Sequence, residues 1–290
     1  MQILINILVT ASHILLIATG FSLIFYTARF FHFAHGIIFV AGAYLAFFLS
    51  TWLNMPLAVS IILSIILCAT IGCLIELAIY RPLRKKKSSE LIFLLVSLGI
   101  YIILQNIISM VFGDSTKILR PNSVTEGIAV LGSRITPIQL TSIFVSLTLI
   151  GILVLFLNRT KIGICIRAVA NDSDLANISG ISSRKVFVWV FGIGSALAGL
   201  AGILVALDVD MTPAMGMNAL MLGVVAVIVG GVNSLPGIAL GALLLATAQH
   251  LGIWFIGSQW QDTIIFVILV LFLLFRPEGF FGKKIKSATV

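Results

Sequence analysis

The chain has 290 residues, 60% of them hydrophobic and only 10% charged, with a mean hydropathy of +1.20 and a formal net charge of +8. Soluble domains carry about 25% charged residues, so this composition excludes a water-wetted globule and points to an all-α, polytopic transmembrane helical bundle. Three cysteines, Cys68, Cys73 and Cys165, have no metal spacing and form no disulfide framework, so they read as small packing residues.

In chain order, nine apolar segments qualify as spans: 4–27, 37–53, 56–79, 91–113, 137–157, 186–207, 217–232, 237–256 and 261–275. The start, "MQILINIL", has no basic n-region and no small-residue cleavage site, so the first span is expected to be retained. Segments 217–232 and 237–256 are separated only by "NSLP". They read as two short spans or as one broken helix with a re-entrant turn, which leaves eight or nine crossings. The whole chain, 1–290, is expected to be one integral membrane domain.

Lysine and arginine set the orientation. Five lie in 81–87, five in 158–185, four after 275, and Arg29 lies between the first two spans. Nine alternating spans place these fifteen on the cytoplasmic side, with Lys117, Arg120 and Arg134 outside. The N-terminus is then external and the C-terminus cytoplasmic. The net charge of +8 is therefore a topology signal, and a nucleic-acid partner is not expected. Lys85, Lys86 and Lys87 read as plain topology determinants, with anionic lipid headgroups as their expected neighbours.

Two loops are long enough to fold. The external one, 114–136, contains Pro121 and Gly127 and reads as a loop with one short element. In the cytoplasmic one, 158–185, Asp172 or Asp174 can cap a short helix and Gly180 can end it. This loop is expected to lie flat against the membrane or a partner.

No phosphate-binding loop is present: "GFFGKK" has the wrong spacing. Nucleophile triads, paired carboxylates and His/Cys clusters are also missing, so an intramembrane enzyme is not expected. Carboxylates inside the spans are nearly absent. Asp262 only opens the last span, and Glu76, five residues before Arg81, can snorkel or pair at the cytoplasmic boundary. A coupled secondary carrier or stand-alone channel would place carboxylates deeper, so the energy for transport is expected to come from another chain. The polar residues that do lie in spans are His13, Gln105, Asn106, Gln249 and His250. Gln105, Asn106, Gln249 and His250 serve either as hydrogen-bonding glue between helices or as the lining of a path, and His13 reads as glue or a lipid-interface residue. Glycines at helical spacing, Gly194, Gly199 and Gly202, predict close helix contacts. "GGVNSLPG" predicts a helix break that is tolerated only if it is buried in protein or lines a cavity. "HGIIFVAGAYLA" and "PGIALGALLLA" share a faint likeness that suggests a repeat.

Seven strings occur in order from about residue 5 to 282: "HFAHG" with "GAY", "IELAIYRPLR", "SLGIYIILQN", "IGICIRAVANDSDLANISGIS", "GSALAGLAGIL", "GGVNSLPGIALG" and "RPEGFFG". On these the chain resembles the membrane permease subunit of branched-chain amino acid ABC importers, of the LivH type. The resemblance implies a second permease subunit, as homo- or heterodimer, two cytoplasmic ATP-binding subunits and a periplasmic solute-binding protein. It implies a bacterial inner membrane location and no cofactor in this chain, ATP being bound by the partners. It also implies ATPase coupling through Arg167, Ala168, Ala170, Asp174, Ala176, Gly180 and Ile181. With the sequence breaks, it directs the substrate pathway to His32, His35, Gly36, Gly42, Tyr44, Gln105, Asn106, Gly230, Gly231, Asn233 and Gly237. Three positions depart from the family pattern: His32 for the usual Asn, Leu222 for a frequent Lys, and Ile164 for a basic residue. They leave open a urea, short-amide or other small-solute importer of the same superfamily.

Overall fold

Helix α1 (Gln2–Ala28) and helix α9 (Ser183–Asp208) form the centre of the molecule. The computed structural model describes residues 1–119, 127–130 and 133–282. Between the two central helices run α2 (Ala34–Phe47), α3 (Leu57–Ile75), α4 (Arg81–Lys85), α5 (Glu90–Phe112), α6 (Pro137–Arg159), α7 (Lys161–Asn171) and α8 (Ser173–Ile178). After them come α10 (Met215–Gly230), α11 (Leu235–Phe255) and α12 (Gln261–Phe275). A π turn extends α2 over Phe48–Trp52, and another joins α3 to α4 over Glu76–Tyr80.

Eight helical stretches among the described residues are long and apolar enough to cross a membrane. The chain is thus the all-α bundle expected, and a multi-pass membrane protein. The ninth, α10, has 16 residues, or about 24 Å at 1.5 Å per residue, short of a ~30 Å hydrocarbon core. It survives because it packs among α1, α2 and α11 rather than against lipid.

Burial sorts the helices. In α1 and α9, 83% of the most apolar stretch is buried; in α6 the share is 17%. Helices apolar on all sides suit both settings, an inner core and a lipid face, so hydropathy alone does not separate them. Small residues do. Gly194 packs against Gly20 and Ile24, Gly199 against Cys68 and Gly42, and Gly202 against the Phe39 carbonyl. A side chain at any of these would collide with a neighbouring helix, as the glycine spacing predicts.

The loop between α5 and α6 contains a short hairpin, β1 (Ile128–Val130) with β2 (Ser133–Ile135), in register Ile128 to Ile135. Lys117 and Met211 exchange backbone hydrogen bonds on the same side. Arg120 and Pro121 of that loop, and Lys283, Lys284 and Lys286 of the tail, lie outside the described residues.

Candidate functional site

Two interruptions of helix define the end of the bundle that carries α7 and α8. The first is the segment Arg29–Phe33, between α1 and α2. Arg29 ends α1 in the left-handed conformation, with φ 57°. The chain then turns inward. Ser97, the eighth residue of α5 and about 10 Å from its start, meets it there. The Ser97 hydroxyl accepts the Phe33 N–H at 3.1 Å and lies 3.1 Å from the Phe31 carbonyl. Non-helical backbone inside a membrane protein needs such partners, because lipid supplies none.

His32 and His35 are both fully buried. His32 Nδ1 lies 2.9 Å from the Tyr80 hydroxyl, and its ring sits edge-on to Phe191 at 5.1 Å. Burial, with His35 close by, holds the His32 imidazole well below its usual range, so it is neutral at pH 7. His35 donates its Nε2–H to the Ile17 carbonyl at 3.2 Å. That bond leaves Nδ1 as the buried, unpartnered nitrogen of the ring. Gly20 makes the approach feasible: a Cβ there would stand 3.0 Å from His35 Cε1. Gly36 lies against the Gly216 carbonyl and Gly42 against Gly199, so both serve as backbone contacts. Tyr44 is buried, its ring 5.0 Å from Phe112.

The second interruption is the turn between α10 and α11. Gly231 takes a positive φ of 96°, and the Gly230 and Gly237 backbones touch. The Ser234 hydroxyl accepts the Gly237 N–H at 3.1 Å and caps α11. Ser22 donates to the Val232 carbonyl at 2.7 Å. Phe280 and Phe281 donate their N–H groups to the carbonyls of Val229 and Gly230 at 2.8 and 3.2 Å. The turn therefore joins two separate helices, and "RPEGFFG" is the strap that satisfies the end of α10. Asn233 is exposed on it and lines a cleft.

Between the interruptions lies the loop 158–185. Thr160 caps α7 by accepting the Gly163 N–H at 3.0 Å. Of the two aspartates, Asp172 is the cap of α8: its carboxylate accepts the N–H groups of Asp174 and Leu175, each at 2.9 Å. Gly180 ends α8 with φ 83°, and Ile181 N–H returns to the Ala176 carbonyl at 2.9 Å. Val169, Ala170 and Ala176 are buried while Leu175 and Ile178 are 59% and 85% exposed. Arg167 is exposed and Ala168 half-buried. Arg29 donates to the carbonyls of Ala170 and Asn171 at 3.1 and 3.0 Å. It thereby holds the end of α7 against the first interruption, which topology alone does not anticipate.

Other expected residues are not brought together. Gln105 is half-buried and Asn106 exposed, with Asn106 donating to the Ile102 carbonyl of its own helix at 2.7 Å. His250 bonds Thr10 at 2.9 Å, the glue reading, and Gln249 is buried. Glu76 pairs with Arg84 rather than Arg81, because the π turn rotates the helix between them. Arg84 also lies 4.0 Å above the centre of the Phe187 ring. Tyr80, Ser97 and Gly20 were not legible as members of the site. A lone Ser, Tyr or Gly in an apolar run carries no signal until its neighbour is known.

The chain matches the family model described as branched-chain amino acid transport system / permease component over residues 3–273. It is 33% identical to the high-affinity branched-chain amino acid transport system permease protein BraD of Pseudomonas aeruginosa, covering 98% of this chain and 96% of that one. It is 30% identical to LivH, the permease protein of the corresponding Escherichia coli K12 system, over 92% and 91% of the two chains. The fold resembles PsaBC from Streptococcus pneumoniae, solved in complex with Fab, with a TM-score of 0.52 at 14% identity over 96% of this chain and 93% of that one. The chain belongs to the family of branched-chain amino acid transport system permease components.

Proposed function

We propose that this chain is the membrane-spanning permease of an ABC importer and forms, as one domain, the path for branched-chain or other hydrophobic amino acids. The observation that carries the reading is the α7–α8 element, set in a chain that matches the family over residues 3–273. It is capped at both ends, buries its alanines on the bundle, presents Leu175 and Ile178 outward and is tied to the buried turn by Arg29. A rigid element of this kind transmits a partner's movement to the spans as rigid-body motion. Arg167, Ala168, Ala170, Asp174, Ala176, Gly180 and Ile181 are its coupling residues.

In this reading two ATP-binding subunits dock on α7 and α8, a second permease subunit covers the outward face of α5, and a solute-binding protein delivers from the far side. Gln105 and Asn106 line the path where the second permease closes it. His32, His35, Gly36, Gly42 and Tyr44 build its inner wall, and Gly230, Gly231, Asn233 and Gly237 its exit. The chain holds no cofactor and catalyses no reaction of its own. It sits in a bacterial inner membrane with the α7–α8 end and the C-terminus in the cytoplasm and the N-terminus outside. The relatives' named solute does not favour the urea or short-amide alternative. Reconstitution with the ATPases and binding protein should give ATP-dependent leucine uptake into vesicles. Absence of amino acid uptake, or uptake without ATP, overturns the proposal.

A further inference from the structure

A cleft of about 390 Å³ opens at the α7–α8 end between α1, α6, α7 and the α10–α11 turn. Its lining is mostly apolar, with Leu23 of α1 and Leu153, Val154 and Leu157 of α6; Thr19, Ser22 and Tyr26 interrupt it on α1, and Asn158, Arg167 and Asn233 add further polar groups. No acidic side chain lines it, and no carboxylate pairs with Arg167 among the described residues. The first residues of α11, a 21-residue helix, also face it, and their dipole favours negative charge. On α6 the cleft residues Leu153 and Val154 lie between Ile152 and Leu155, which are 55% and 61% exposed, so the apolar wall adjoins the helix's outward face.

We propose that this cleft binds one anionic glycerophospholipid from the leaflet on the α7–α8 side. The phosphate meets the Arg167 guanidinium and the amides of Asn158 and Asn233, and the upper acyl chain lies along Leu23, Leu153 and Leu157. An unpaired arginine at the boundary of an apolar groove suits an amphiphile with one negative head. The missing carboxylate disfavours a head that carries a compensating ammonium. Bound there, the lipid bridges α7 to α1, α6 and the α10–α11 turn, so the bilayer's anionic content would set how firmly α7 is held.

The test is native mass spectrometry of the purified, delipidated transporter complex, titrated with phosphatidylglycerol or with phosphatidylcholine of the same chains. The expected result is one retained phosphatidylglycerol per permease, held about tenfold more tightly than phosphatidylcholine, the scale of one charge-assisted hydrogen bond. Arg167→Gln should erase the preference. Leu157→Trp, which fills the groove but keeps the charge, should also release the lipid. Arg159→Gln, which removes a nearby charge outside the cleft, should leave it bound, and inorganic phosphate should not displace it. Equal retention of the two lipids, an equal loss in Arg159→Gln, or displacement by inorganic phosphate each overturns the proposal. The readout is lipid mass, so it stands or falls independently of the transported solute.

Discussion

The two helix interruptions, Arg29–Phe33 and Gly231–Ser234, solve one problem in opposite ways. Each leaves backbone groups without helical partners, which lipid cannot satisfy. The first is closed by a side chain from another helix: Ser97 takes the Phe33 N–H and lies 3.1 Å from the Phe31 carbonyl, while the two histidines meet the Tyr80 hydroxyl and the Ile17 carbonyl. The second is closed mostly by backbone and by its own cap, with one side chain from α1: Phe280 and Phe281 pair with the end of α10, Ser234 caps α11, and Ser22 donates to the Val232 carbonyl. The first is sealed in aromatic packing and the second borders a cleft. A sealed break is sensitive to every side chain around it. A break satisfied by backbone tolerates substitution, which frees Asn233 for solute or lipid.

The comparison yields graded expectations. Gly36→Val should be the most damaging, because its Cβ would stand 2.7 Å from the Gly216 carbonyl, and backbone cannot swing aside. A loss of about 3 kcal/mol or more should appear as the disappearance of the monodisperse peak in detergent. A normal peak and melting temperature would break the close-contact account.

The next effect is a pH dependence. The His32 imidazole is held low by burial, so above the unfolded value of 6.5 both states are neutral and nothing changes. As pH falls below 6.5 the unfolded chain takes a proton that the folded chain refuses, and stability drops. The slope is about 1.4 kcal/mol per unit, or about 2 kcal/mol between pH 6.5 and 5. Thermal melts of wild type and His32→Asn across that range should diverge by this amount. Parallel melts would mean that His32 is solvated.

Ser97→Ala should cost about 1 kcal/mol, since it strands the half-buried Phe33 N–H. Ser97→Thr, which keeps the hydroxyl, should recover part of it. At the second break, Ser234→Ala should also cost about 1 kcal/mol, the ordinary value of a lost cap. Asn233→Ala should fall within about 0.5 kcal/mol in stability while changing transport or lipid retention. If Asn233→Ala instead unfolds the protein as Gly36→Val does, the contrast between the breaks fails.

How much of this was readable beforehand differs by kind of feature. The helices were legible because twenty-residue apolar runs have one structural answer in a bilayer. The cap and stop of α8, at Asp172 and Gly180, were legible because they are local to a few residues. The partners of buried groups were not. Glu76 was expected to snorkel or to pair near Arg81, and a π turn gave it to Arg84. Arg29 was accounted for by charge topology, and the fold also makes it a clamp on the end of α7. Gln105 and Asn106 read as polar groups within a span, and only packing turns Asn106 to the outside of this chain.

Composition, hydropathy and the spacing of glycines by themselves determined that this is a multi-pass helical membrane protein, where its helices run and that a capped element lies between the fifth and sixth long spans. Those properties depend on solvent partitioning and on hydrogen bonds closed within one turn of helix. Only the tertiary structure decided which helices are central, which partner each buried polar atom finds and which of the two breaks is sealed. Those outcomes depend on contacts between residues far apart in the chain, and in a uniformly apolar chain no local pattern distinguishes the inside of the bundle from the lipid.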